Sequence, residues 1–271
     1  MRVALIGAGS IGERHLANLQ TLGHEVVVID ADPTRGAYRK LSTLCGTLDA
    51  AIIATPAETH LGLLRDCIAW GLPVLVEKPL GTVADLPTLR DLRPTTPVMV
   101  GYNWRFHPEV QPFLARHLSR VVCAHFRCDT RMSDWPGSAQ SGDPLLECSH
   151  DIDLACQWAN SWTLRAAGEL DGAGAWLQFD SVVVDLRWDA EPRRDYLIIA
   201  ERPTWLERYA ELPGMRVVDR LSPSLEALDH SYRNELAHFL RAVEGGPIAS
   251  GCTLQEWIAV LDVVRQVKEQ A

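Results

Sequence analysis

Three groups of residues have types and spacings that could do chemistry. The first is Gly7-Ala8-Gly9-Ser10-Ile11-Gly12, with Asp30 about 20 residues further on. Gly7 permits a tight turn, Gly9 lets backbone N–H groups approach a pyrophosphate, and Gly12 lets a helix pack close to the preceding strand. Ser10 and Ile11 open that helix, whose free N–H groups and positive dipole end suit phosphate. Asp30 can accept from ribose hydroxyls, so the set reads as a dinucleotide site. The second group is Glu77-Lys78-Pro79. A lysine at a ligand crevice can hydrogen-bond a hydroxyl and favour its alkoxide-like transition state; away from such a crevice it is a surface lysine. The third is His150 with Glu147 and Asp153 three residues to either side. Histidine suits acid–base work near neutral pH, and helical spacing could set one carboxylate beside the ring as an orienting partner.

Two further stretches stand close to these. Thr55-Pro56, with His60, follows an apolar run, and Thr55 could bond a ribose; a helix N-terminus accounts fully for Glu58 and Thr59. Glu77, Thr55, Pro56 and His60 are therefore grouped with the cofactor contacts. Gly101 to Pro108 mixes aromatics with polar donors. Tyr102, Asn103 and Arg105 suit substrate hydroxyls and suit packing between domains equally well.

The elements that must position these groups are legible. Apolar runs at Arg2 to Ile6, Val26 to Ile29, Ala50 to Ala54, Pro73 to Val76 and Val98 to Val100 alternate with helical patterns. This predicts a doubly wound parallel sheet with all strand C-termini on one edge. Gly7, Asp30, Thr55, Lys78 and Tyr102 all follow strands, so they are expected at the crevice where such sheets bind ligands. A short helix is expected from about Thr34 to Leu44. After Gly101 strands dominate, with Val182 to Trp188 alternating as a half-buried antiparallel strand does. The polar stretch Arg131 to Pro144 leads into a helix at Ser149 to Ala159, and two helices follow near Ser231 to Glu244 and Thr253 to Glu269. The reading is a Rossmann domain at 1–101 and an α+β domain at 102–271. Eight of nine tryptophans lie after residue 100, for packing in the main, with sugar stacking open for one or two.

The chain has 271 residues, 47% of them hydrophobic, and a net charge of −9. That is globular composition, and its acidity argues against nucleic acid or an anionic membrane as partner. No apolar run approaches a membrane span and the opening shows no signal-peptide pattern, so a cytoplasmic protein is expected. Seven cysteines with no CxxC read as buried, reduced residues, and no metal is expected.

Taken together, GAGSIG (Gly7–Gly12), ATPAETH (Ala54–His60), EKP (Glu77–Pro79), GYNWRFHP (Gly101–Pro108), LLECSHDIDLA (Leu145–Ala155) and SYRNELAHFL (Ser231–Leu240) resemble the Gfo/Idh/MocA family of NAD(P)-dependent oxidoreductases. The resemblance implies a Rossmann domain followed by a domain with a large, mostly antiparallel open-faced sheet that forms homodimers or homotetramers. It implies hydride transfer at a carbinol carbon of a sugar, cyclitol or nucleotide sugar. Lys78 matches the catalytic lysine and His150 the histidine of proton transfer, with Glu147 beside it and Asp151 among the substrate contacts. Pro79 is expected to follow a cis peptide bond. The segment from Asp30 to Ala50 is shorter than the family's, which predicts a trimmed adenosine side. The charge of Asp30 favours NAD, while Arg35 keeps NADP open. The alternative is a non-catalytic protein of the same fold that binds or senses a dinucleotide.

Overall fold

The computed structural model describes residues 1–38, 40–44, 46–117, 123–131, 143–169, 174–180, 182–199, 217–224, 227–248 and 250–270. They form two compact units. Of the described residues, the first comprises those in 1–107 and 227–261 and the second those in 108–131, 143–224 and 262–270.

In the first unit the apolar runs become β1 (Arg2–Ile6), β2 (Glu25–Ile29), β3 (Ala50–Ile53), β4 (Val74–Glu77) and β5 (Val98–Gly101). Between them lie α1 (Ser10–Thr21), α2 (Ala57–Ala69) and α3 (Leu86–Asp91). All five strands are parallel, in the order β2-β1-β3-β4-β5. Strands covered on both faces must be apolar throughout, and Val3, Leu5, Ile52 and Leu75 have no exposed surface.

Beyond β2 a single parallel bridge, Ile29 to Tyr38, stands where a further strand could pair. The helix expected from Thr34 to Leu44 reduces to one 3₁₀ turn, Leu41–Leu44. Local hydrogen bonding explains this. Asp32 Oδ1 accepts from the Thr34 N–H at 2.9 Å and its hydroxyl at 2.7 Å, and Asp30 N–H donates to Tyr38 O at 3.0 Å. The chain is turned back onto β2 before a helix can start.

The second unit opens with α4 (Val110–His117) and β6 (Cys123–Arg131). It continues with α5 (Pro144–Glu147), α6 (Ser149–Ala159), β7 (Ala166–Glu169), β8 (Gly174–Gln178), β9 (Val182–Arg187), β10 (Asp189–Ile199) and β11 (Val217–Leu221). Its sheet runs β11-β10-β6-β9-β8-β7, antiparallel except for the β6–β9 pair. The alternation in β9 predicts one wet face, but Val182 to Leu186 are all buried. β9 is a central strand, and α6 packs against it. Most of the Arg131 to Pro144 stretch, 132–142, lies outside the described residues.

The chain returns to the first unit with α7 (Leu228–Val243), β12 (Cys252–Thr253) and the first half of α8 (Leu254–Gln270). β12 adds an antiparallel edge beside β5. On α7, Leu236, Phe239 and Leu240 join Val3, Leu5, Leu19, Ile52 and Met99 in one apolar core. No described helix is long and apolar enough to cross a membrane.

Candidate active site

The three glycines of the turn between β1 and α1 have distinct surroundings. Gly7 has φ +94°, and a Cβ there would lie 2.5 Å from Ala54 O. Its conformation and the neighbouring loop both require glycine. A Cβ on Gly12 would lie 2.0 Å from Gly7 O, so this glycine lets α1 start against the turn. A Cβ on Gly9 would meet nothing within 4 Å. Gly9 therefore borders open space, at the N-cap of a helix with no side-chain cap. Ser10 and Ile11 supply N–H groups of that first turn. The sequence reading of a phosphate cradle fits this arrangement.

Asp30 does structural work here as well. Its Oδ2 accepts from Ala8 N–H at 2.7 Å and its Oδ1 from Asp32 N–H at 2.8 Å. The carboxylate thus ties the glycine turn to the end of β2. A carboxylate has about four acceptor positions, so both oxygens keep capacity for ribose hydroxyls.

Lys78 follows β4, and the residues flanking it are held by side chains from three helices. Glu77 Oε1 pairs with Nε2 of His15 on α1 at 2.7 Å. Pro79 O lies 2.9 Å from Nδ1 of His60 on α2. Leu80 O accepts from Nε1 of Trp257 on α8 at 2.6 Å. The Lys78–Pro79 peptide bond is cis, as the resemblance implies. The backbone is thus held on both sides of Lys78.

The remaining first-unit candidates have the following surroundings. Glu77 is turned to His15 and is 12% exposed. Thr55 Oγ1 pairs with Thr59 Oγ1 at 2.7 Å near the start of α2, where Pro56 is the N-cap residue. His60, grouped with the cofactor contacts from sequence, is 1% exposed, and both ring nitrogens face main-chain oxygens. Tyr102, Asn103 and Arg105 are buried. Asn103 Nδ2 donates to Ser231 Oγ at 2.8 Å, and Arg105 Nη1 donates to Gly251 O at 2.8 Å. Tyr102 packs its ring against Trp257. Ser231 and Trp257 stand on α7 and α8 and Gly251 just before β12, all in the same unit.

In the second unit Glu147 closes α5, and His150 stands in the first turn of α6; both are buried. The two helices join at Cys148, and Ser149 Oγ donates to Leu146 O at 2.7 Å across the junction. Asp151 Oδ1 accepts from Tyr196 Oη at 3.2 Å, which ties α6 to β10. Asp151, grouped with the substrate contacts, is therefore engaged with the sheet and has no exposed surface.

Sequence reasoning passed over Glu235. It is fully buried on α7. Burial and the charge of Glu77 hold this carboxyl well above the usual range, against the pull of Arg105 and the Tyr102 main chain. The signal available was helical spacing, since Glu235 shares an i, i+4 row with buried Ser231 and Phe239.

Five described cysteines are free and buried. Burial pushes the Cys67 thiol up to about 12, which removes it as a nucleophile. Among the described residues no group of His, Cys, Asp and Glu is placed to hold a metal ion. A cavity of about 700 Å³ lined by Met1, Asp49, Trp70 and Thr96 opens at the N-terminal edge of the first sheet. It is on the opposite edge from Gly9 and Lys78 and has no part in their chemistry.

Residues 1–104 match the family model described as "Oxidoreductase family, NAD-binding Rossmann fold" (Gfo/Idh/MocA). The myo-inositol dehydrogenase Hyg17 of Streptomyces leeuwenhoekii is 31% identical over 134 residues, 43% of this chain and 41% of its own. Inositol 2-dehydrogenase 2 of Saccharopolyspora erythraea is 33% identical over 182 residues, 57% of this chain and 52% of its own. The chain thus spans about half or less of the length of these relatives. Among solved structures, UDP-N-acetylglucosamine 3-dehydrogenase GnnA from Acidithiobacillus ferrooxidans superposes with a TM-score of 0.73. It is 19% identical and covers 100% of this chain and 97% of its own, a likeness of fold.

Proposed function

From the match of residues 1–104 to the Gfo/Idh/MocA oxidoreductase family model, we propose that the chain is an NAD-dependent dehydrogenase of that family acting on a secondary alcohol of a cyclitol, sugar or nucleotide sugar. The observation that carries the reading is the glycine turn, where Gly7 and Gly12 are packed while Gly9 is open above an uncapped helix. Bound NAD would supply a hydride acceptor at nicotinamide C4. Ser10, Ile11 and Gly12 hold the pyrophosphate by their N–H groups, and Asp30 and Thr55 take ribose hydroxyls. The charge of Asp30 disfavours a 2′-phosphate, hence NAD over NADP. Lys78 holds the reacting oxygen and stabilises its developing charge. His150 takes the hydroxyl proton, with Glu147 orienting it. The relatives named as inositol dehydrogenases support a cyclitol first. By the family resemblance, copies assemble through the second sheet.

The test is calorimetric titration with NADH and NADPH, followed by turnover with NAD on a polyol panel headed by myo-inositol. NADH binding with turnover that Lys78→Met lowers by at least about a hundredfold is expected. No binding of either cofactor would overturn the reading. The single bridge and single 3₁₀ turn on the adenosine side favour a second reading, a dinucleotide sensor. Tight binding without turnover, unchanged by Lys78→Met, would select it.

A further inference from the structure

We propose that His60 is a positioning residue whose ring clamps the loop after β3 to the turn bearing Lys78. The inference rests on Lys78 as holder of the reacting oxygen for its catalytic consequence, though not for its chemistry. His60 Nε2 lies 2.7 Å from Thr55 O, and Nδ1 lies 2.9 Å from Pro79 O. Both partners are main-chain carbonyl oxygens, which accept and cannot donate. A ring N–H donates to the main-chain oxygen of one loop while the other ring nitrogen lies against that of the second loop. Turning the ring over would put carbons at both positions.

The surroundings leave no easy substitute. His60 is 1% exposed, so bulk water cannot replace the ring. Leu80 O, next along the turn, is already taken by Trp257. Thr55 follows β3 and Pro79 follows β4, and these strands are direct neighbours with Ile53 opposite Val76. One ring therefore spans two adjacent loops at the ligand edge of the sheet. It fixes the spacing between Thr55, a ribose contact in our reading, and the backbone of Lys78.

The test has a spectroscopic arm and a kinetic arm. In uniformly ¹⁵N,¹³C-labelled protein at pH 7.5, ring signals are assigned through Cβ and both His60 nitrogens are read in a two-bond ¹H–¹⁵N correlation spectrum. A His60 ring N–H whose exchange with solvent is slowed at least about a hundredfold is expected. A ring N–H that exchanges as in free histidine would overturn the clamp, whether or not Lys78 proves catalytic. For kinetics, His60→Gln keeps one donor and His60→Leu none. kcat is expected to fall about tenfold to a hundredfold in His60→Leu and less in His60→Gln, with KM for the polyol little changed. Equal kcat in all three proteins would overturn the positioning role.

Discussion

His15 Nε2 lies 2.7 Å from Glu77 Oε1, and this pair joins the helix after the glycine turn to the residue before Lys78. His15 has no exposed surface. Its partner is flanked by Gly101, where a Cβ would come within 3.1 Å of Glu77 Oε2. Truncation by Glu77→Ala strands a buried ring nitrogen, at a cost of about 1–3 kcal/mol. A fall in the thermal midpoint of about 2–4 °C per kcal/mol is expected by circular dichroism. An unchanged midpoint would show that the pair anchors nothing.

The turn glycines separate folding from binding. Gly9→Val meets open space and is expected to leave the melting curve within about 0.5 kcal/mol of the parent. The same change fills the proposed phosphate cradle, so NADH affinity by calorimetry should fall at least about tenfold, a loss of 1.4 kcal/mol. Gly12→Ala drives a Cβ into Gly7 O and should lower stability by about 1–3 kcal/mol. Gly9→Val that binds NADH normally would remove the cradle from this turn.

Asp30 combines two duties, and a substitution can divide them. Asp30→Asn removes the charge and keeps one acceptor oxygen for Ala8 or Asp32. The preference for NADH over NADPH is expected to narrow about tenfold in paired titrations. If the preference is unchanged, the carboxylate discriminates nothing and serves the turn alone.

Glu235 gives the first unit a signature in pH. Its folded carboxyl lies well above its ordinary value of 4.5, chiefly through burial and then through Glu77. The folded state therefore binds the proton more tightly than the unfolded state. Its contribution is fully present below about pH 4.5 and is lost as pH rises toward the folded value, with a slope of up to about 1.4 kcal/mol per unit. Glu235→Gln keeps the shape without the charge. Thermal midpoints of the variant should pull ahead of the parent as pH rises above 5. Parallel curves would mean that Glu235 ionises no less readily than in water.

Local signals carried most of the first unit. The glycine turn, Asp30 and Lys78 all sit at strand ends, and the alternation of apolar runs with helical spacing places strand ends on one edge. The fates of Asn103 and Arg105 were not local. Their partners, Ser231 and Gly251, are 128 and 146 residues away, and a polar side chain looks the same whether it awaits a substrate or a distant hydroxyl. β12 is two residues long and has no periodicity to read. The helix expected after Thr34 failed for the opposite reason: short-range bonds from Asp32 outweighed a weak helical pattern.

The return of α7, β12 and α8 to the first unit has a consequence for how the chain is made. Translation releases β1 to β5 first, but their core includes Leu236, Phe239 and Leu240, their edge pairs with Cys252–Thr253, and the Lys78 turn is fastened by Trp257. Domains made first generally fold first. Here the nucleotide-binding half emerges early and is completed late, after the whole second sheet has been synthesised. Its apolar strands must wait with one flank uncovered, and that interval is where chaperones would engage this protein.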